Sequence, residues 1–543
     1  PVSMLDSYVL SLFSPDHLWL LGVLPVLFFV AQLTFKEVYL SFKCRHIPCP
    51  SGRIPFLGHA LKLLQGNVWD TFRALSAEHG NFFRMHVLGR VYIVMADPAF
   101  ARHVLQTKAK NYRKDPGTYK VFDCLLGTGI VTSEGERWHR LRRELAPTFK
   151  LEILEEVASA ALEITRNLFQ TLDAAAESGA AVDMAEIFRK LTLQVISLAV
   201  LGVEPAESDR EISNLYLPII DECNDRIWYP YRMYLPTNAW WRHRSLVKQL
   251  NDYLVAKIND RWQSMANAKE KNSPKYILDR ILSGVDPAQF QKDGIQDLRD
   301  GLKTFLFAGH DTTACMLTWT LWEVMKSEQT RQKLYNESKS LFPKDDTRPS
   351  YDELQNSLPF TFNVLRETLR LHPPVPVITR EVVQPDVVGD VSIPQGAVAL
   401  ICMDGIHKRQ DLWPNGDVNE FLPSRFDVLD TPSPQLGLGE GVDPWAFLPF
   451  INGVLLAPFP LPRPSYLVWQ DLATVSANTS RFLRYAIEPA GVEVNGSMQS
   501  RIVLGLLFSR YKFSPAQGQD DKSHPYKIPI TPVNGMFCHV TKI

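Results

Sequence analysis

The stretch Thr304-Phe-Leu-Phe-Ala-Gly-His-Asp-Thr-Thr-Ala-Cys-Met-Leu-Thr-Trp319 decides the fold. Apolar side chains at Leu302, Phe305, Leu306, Met316, Leu317, Trp319, Leu321 and Val324 fall on nearly every side of a helix expected over Leu302–Lys326. A helix that is hydrophobic all round belongs in a core or a membrane. This one carries a polar inset, Gly309-His310-Asp311-Thr312-Thr313. A neutral polar group buried without a partner costs roughly 2–7 kcal/mol. Two arrangements satisfy the inset. The Thr hydroxyls can bond back to carbonyls one turn earlier, leaving Asp311 a paired core acid. Alternatively the helix opens beside a flat ligand, with Gly309 letting it approach the backbone and Asp311 and Thr312 relaying protons.

The totals narrow the class. The 543 residues are 45% hydrophobic and 22% charged, a globular composition, and the formal charge of −1 gives no electrostatic case for nucleic acid. Seven cysteines at 44, 49, 124, 223, 315, 402 and 538 form no paired CxxC zinc pattern and no dense disulfide framework.

Leu18–Phe35 is apolar apart from Gly22, Gln32 and Thr34. Eighteen helical residues span about 27 Å, close to the roughly 30 Å of a bilayer core. A cleaved signal peptide would need a basic start, and residues 1–17 hold no Lys or Arg. Lys36, Lys43, Arg45 and Arg53 all follow the span, which places the rest of the chain in the cytosol. The expected division is an anchor segment, 1–40, and one domain, 41–543.

Along that domain, the Pro/Gly-spaced run 47–58 is a stiff connector. Phe82–Met95 reads as two strands around Gly89-Arg90, and Asp97-Pro98 as a helix start. Residues 112–132 read as irregular, 134–178 and 183–202 as helical, and Tyr229–Trp241 as a loop or broken helix. A helix is expected from Asp352 to Leu371, before Pro373-Pro374, and strands between Val375 and Ile401. The fold class is therefore mainly α with a small β component.

Trp138 and Arg142 lie four apart on one helical face. The pair reads either as surface stacking or as a grip on the carboxylate of a large planar ligand. Glu367 and Arg370 are one turn apart, a spacing that also occurs at Glu134/Arg137, Glu163/Arg166 and Glu186/Arg189 and says little alone. After it come Leu371-His-Pro-Pro-Val-Pro376, Arg380, Phe421-Leu-Pro-Ser-Arg-Phe426 and Trp445-Ala-Phe-Leu-Pro-Phe-Ile-Asn-Gly453.

In this order the pieces resemble the cytochrome P-450 family of haem-thiolate monooxygenases, from about residue 45 to Gly453 and again near Ser500–Phe513. Ala308-Gly-His-Asp-Thr-Thr313 matches the family's central-helix motif. The resemblance implies haem b (iron protoporphyrin IX), with Trp138, Arg142 and Arg380 at its propionates and Ala308, Gly309, Phe450 and Gly453 against it. Glu367, Arg370 and Arg425 match a buried structural cluster. Asp311 is expected to bring protons inward, and Thr312 to hydrogen-bond the oxygen being activated. The implied partners are O2, a hydrophobic small-molecule substrate, membrane lipid, and an NADPH–cytochrome reductase supplying electrons at the endoplasmic reticulum membrane. Arg137, Arg140 and Arg143 would face that reductase or solvent. The wording of the central motif resembles fatty-acid-hydroxylating relatives. Some of these carry Glu at the position of Ala308, so a haem ester link is not expected here.

One departure is chemical. The family's loop continues as Phe-x-x-Gly-x-Arg-x-Cys-x-Gly, and this chain has Leu455, Ala457 and Phe459 where Arg, Cys and the last Gly are expected. No cysteine occurs between Cys402 and Cys538, so the axial thiolate that favours O–O cleavage is missing and no metal ligand is assigned. The foreign stretch, 454–499, carries Pro458, Pro460, Pro462 and Pro464. Valine codons begin GT and Gln499 can be encoded CAG, so the stretch reads as a retained intron or a frame error. A transcript read through codons 450–505 is expected to lack this segment, and one that reproduces it refutes that origin.

Overall fold

The computed structural model describes residues 18–55, 57–145, 151–267, 275–284, 294–427, 443–450 and 491–543. Helix α1 runs Leu18–Lys43. From Glu37 onward it lies against the body, with Leu40 buried in it and Cys44 and Ile47 beyond it. The buried Glu37 carboxylate accepts from Arg53 at 2.8 Å and stands 3.1 Å from His86 Nδ1. Phe28, Phe35, Val38, Tyr39 and Phe42 are exposed. The helix thus continues beyond the span expected from sequence. Among the described residues, no helix is long and apolar enough to cross a membrane.

Asn67 caps α2, Val68–His79, by accepting from the N–H groups of Trp69 and Asp70. Strands β1, Phe82–Val87, and β2, Arg90–Met95, pair antiparallel. Their turn is Leu88-Gly89, one residue earlier than expected, and both residues have positive φ. Residues 112–132 are more regular than the sequence reading has them. Strand β3, Tyr112–Lys114, precedes helical turns Pro116–Tyr119, Lys120–Phe122 and Asp123–Leu126. The buried Asp115 starts the first turn by accepting from Gly117 and Thr118 N–H, a cap that Asp supplies when Pro follows it. Then come α3, Gly135–Leu145; α4, Leu151–Ser178; β4, Val182–Asp183; and α5, Met184–Leu201. Asp183 caps α5, and Gly202 ends it in the left-handed conformation. Helices α6, Asn214–Trp228, and α7, Asn238–Asn267, flank a short turn at Pro230–Met233.

The central rod is two helices, α8, Ile295–Gly309, and α9, Asp311–Lys326. The sequence reading has one helix from Leu302. The rod begins earlier and breaks at His310, where φ and ψ are −92° and −79°. Thr312 Oγ1 donates to the Ala308 carbonyl at 2.7 Å beside the break, a competition of hydroxyl with backbone that bends helices. Helix α5 packs along both halves of the rod. Helix α10, Glu328–Leu341, is followed by the short helix Tyr351–Asn356 and by α11, Pro359–Leu371. The expected single helix from Asp352 is split because Pro359 has no N–H and begins a new helix at its first position.

Strands β5, Val377–Val382; β6, Asp386–Val388; β7, Val391–Ile393; and β8, Val398–Cys402, come next. A five-stranded sheet has the order β1-β2-β8-β5-β3, with β2 and β8 parallel. Helix α12, Gly491–Phe508, begins ahead of Ser500, so the last nine residues of the 454–499 stretch are helical. Helix α12 packs on α4, α10 and the rod. Strands β9, Tyr511–Pro515, and β10, Phe537–Lys542, complete a second sheet, β4-β10-β9. The architecture is mainly helical with a small sheet component.

Under the rod, Glu367 and Arg370 of α11 are completely buried. Arg370 donates twice to Glu367, at 2.8 Å each, and also to the carbonyls of His407, Val418 and Glu420. Arg425 Nε donates to Glu367 Oε1 at 3.2 Å, and the Leu422 N–H reaches the same oxygen at 2.9 Å. One carboxylate thus fixes the loop 417–425. Removing one partner of such a cluster leaves buried charge uncompensated. Glu367→Gln is expected to cost about 3–5 kcal/mol, measured as a lower urea midpoint of the purified chain. An unchanged midpoint would show that the cluster is not a stabilising element.

Candidate functional site

Between Asp300 and Met325 every rod residue is buried except Phe307, Ala308, Gly309 and Thr312. These four fall within residues 307–312 and are the partly exposed positions of the rod. The polar inset divides around them. Thr312 is one of them, with its hydroxyl bonded to the Ala308 carbonyl. Asp311 points elsewhere: it is 6% exposed and accepts from Arg189 Nε at 3.2 Å. Burial raises its carboxyl, but the charges of His310 and Arg189 and the Arg189 hydrogen bond outweigh burial and hold it below the usual range. Burial lowers His310, whose ring stands edge-on to Tyr216. No hydrogen bond joins Asp311 to Thr312. Arg189 of α5 was not legible, because its spacing from Glu186 is an ordinary helix pattern.

Gly309 leaves room, but α5 uses it. A Cβ there would stand 2.8 Å from Ile196 Cδ1. A side chain there would have to displace Ile196, so part of the space this glycine leaves is taken up by α5.

A second cluster lies where β3 pairs with β5. The register sets Lys114 opposite Arg380, placing two cations side by side. Arg380 is 4% exposed and donates at 2.8 Å to Tyr119 Oη and to its neighbour's carbonyl, of Thr379. Lys114 Nζ donates to the carbonyls of Ile130 and Ser133, and its backbone N–H to Glu134. Lys114 thereby ties this sheet edge to the start of α3, which carries Trp138 and Arg142. The Arg142 guanidinium lies 5.2 Å from the Trp138 ring centroid, a cation–π contact, with Trp138 buried. Among the described residues, neither Lys114 nor Arg380 has a carboxylate within ion-pair distance. Lys114 was missed from sequence because a lone lysine in a three-residue strand carries no pattern. Of the basic face expected on α3, Arg137 and Arg140 pair with Asp297 of α8.

Phe450 is half-buried against the main core at the end of a run, Trp445–Leu448, that is buried. His407 Nε2 accepts from the Leu448 N–H at 2.8 Å, and the His407 carbonyl accepts from Arg370. The Glu367 cluster therefore supports this run from below. Gly453 and Ala457 lie outside the described residues.

The donor set can be set against haem. The buried Arg380 and the half-buried Lys114, held by neutral acceptors, fit a ligand bearing carboxylates, and Trp138 with Arg142 lies on the helix that Lys114 adjoins. The axial position does not fit. Ala457 offers no donor. Cys315 Sγ is buried in α9 and bonded to the Ile530 carbonyl at 3.0 Å, and Cys402 is buried in β8 with its thiol pushed up to about 12 by burial.

Burial first, and then Arg380, push Lys114 down to about 8. Its unfolded value is about 10.4. Below pH 8 both states carry the proton and the folded chain bears the whole cost of the buried charge. Between about 8 and 10.4 the folded state releases its proton first, so stability rises with pH. Urea midpoints of the ligand-free chain are expected to climb across this window, and Lys114→Met to flatten the climb.

Comparison with known proteins shows the family. The profile of the cytochrome P-450 family matches residues 47–454. Cytochrome P-450 4d2 of Drosophila melanogaster is 25% identical over 511 residues, 88% of this chain and 96% of that protein. Protein LUTEIN DEFICIENT 5, chloroplastic, of Arabidopsis thaliana is 28% identical over 69% of this chain and 63% of that protein. Cytochrome P-450 4F2 of Homo sapiens is 29% identical over 66% of this chain and 70% of that protein. With a rod, a supporting acid–arginine cluster and a family match over most of its length, the chain belongs to the cytochrome P-450 family, the haem-dependent monooxygenases.

Proposed function

We propose that this fold serves a membrane-attached monooxygenase that inserts one oxygen atom from O2 into a hydrophobic substrate of the fatty-acid class. Electrons come from NADPH through a reductase. The observation that carries this reading is the rod. Its only accessible positions from Asp300 to Met325 are Phe307, Ala308, Gly309 and Thr312, beside a polar inset. Haem, when bound, supplies the oxygen chemistry. The residues of this chain supply the rest. Lys114, Arg142 and Arg380 hold its carboxylates. Phe307 and Ala308 present an apolar wall that excludes water from the substrate. Asp311 carries protons inward once Arg189 swings away, and Thr312 offers its hydroxyl on the accessible face. The exposed Phe28, Phe35, Val38, Tyr39 and Phe42 of α1, with Lys43 and Arg45 at its end, favour attachment to the cytosolic face of the endoplasmic reticulum membrane.

A second reading rests on one observation: no cysteine stands between Cys402 and Cys538. On it, the sequence as written is a haem-free, catalytically silent relative. The reduced, CO-bound spectrum of the purified full chain supplied with haem separates the two. A thiolate-type Soret band overturns the second reading. Its absence, together with its appearance when residues 454–490 are replaced by a family loop carrying the cysteine, assigns the defect to the loop alone. In that repaired chain, Asp311→Asn is expected to lower product yield about 10²-fold or more. Unchanged yield removes Asp311 from the proton path. Extraction of the membrane fraction with carbonate is expected to leave the chain behind, and release by carbonate refutes the anchored arrangement.

A further inference from the structure

Cys124, Cys223 and His243 converge on a site that the monooxygenase reading does not use. They come from three separate elements: the turn Asp123–Leu126, helix α6 and helix α7. Their ligand atoms all lie within 4.8 Å of one another. Cys223 is 1% exposed and His243 is 4% exposed. Both ring nitrogens of His243 are buried with no hydrogen-bond partner. A buried imidazole left without any partner is costly, and its neighbours here are two sulfurs.

The spacing of the sulfurs is informative. They stand 3.7 Å apart. Two thiolates at ~2.3 Å from a tetrahedral zinc ion lie about 3.8 Å apart. A disulfide would need about 2.05 Å. The imidazole nitrogen has to close to about 3.6 Å from each sulfur to complete three tetrahedral corners. Cys124 is partly exposed, so water can supply a fourth ligand. Arg226 Nη1 reaches Cys124 Sγ at 3.6 Å while its Nε donates to Glu222 at 3.0 Å. That places a charged donor, itself neutralised, behind one ligand, the arrangement that orients sulfur ligands in metal sites. Charge also balances: a divalent ion with two thiolates and a neutral imidazole has no net charge to bury.

We propose that Cys124, Cys223 and His243 form a zinc site that ties the turn Asp123–Leu126 to the α6–α7 pair. The turn and α7 both pack on α8, ahead of Ala308. Zinc therefore fixes the turn and α7 together against α8. On binding, the thiol protons leave to solvent and no electron moves. The site is invisible in sequence, since 99 residues separate the two cysteines.

The test uses the purified full chain, stripped with chelator and kept reduced, and does not depend on haem. Titration with Co2+ is expected to give a thiolate-to-cobalt charge-transfer band at one equivalent, displaced by Zn2+. Cys124→Ser, Cys223→Ser and His243→Ala each lose affinity by more than ~10-fold, while Cys49→Ser, the other partly exposed thiol, keeps it. Absence of the band, or equal titration of the parent and Cys124→Ser, overturns the proposal. A readout on the unaltered chain guards against variants that fail to fold. Zn2+ is expected to slow alkylation of Cys124 at least ~10-fold and to leave Cys49 unaffected. Equal alkylation of Cys124 with and without Zn2+ overturns the site.

Discussion

One buried carboxylate holds the underside of this molecule together. Glu367 binds Arg370 and Arg425 and caps the Leu422 N–H, while Arg370 spends its remaining donors on three carbonyls of the segments around 407 and 418–420. Every one of these groups is costly to bury alone, and apart from Arg425 Nη1 they satisfy one another. His407 then passes the constraint on, with its carbonyl on Arg370 and its ring on the Leu448 N–H. The run entering Phe450 is therefore positioned by an interaction that performs no chemistry itself.

Above that base the rod divides labour along its polar inset. Asp311 faces α5 and is held charged by Arg189, whereas Thr312 shares the accessible face with Ala308. Both residues lie in the first turn of α9, where neighbours stand about 100° apart and so meet different partners. On the proposed function, a proton route through Asp311 would depend on how firmly α5 holds Arg189.

The cations tell a parallel story. Lys114 and Arg380 are set side by side by strand register, with neutral acceptors and no carboxylate among the described residues. The frame keeps an anion-seeking edge while its sequence lacks the sulfur that would hold iron at the centre.

What the residues alone determined was the apolar rod, the acid–arginine cluster with its downstream motifs, the cap at Asp97, the strands near 82–95 and 377–402, and the absent thiolate. These are local periodicities or ordered short motifs, and the energies behind them act within a few residues. Only tertiary structure decided the break at His310, the split at Pro359, the partner of Asp311, the pairing of Lys114 with Arg380, and the meeting of Cys124, Cys223 and His243. Each depends on groups far apart in the chain brought within a few ångströms, where burial removes water and makes the choice of partner decisive. Spacing along a sequence carries no information about that choice.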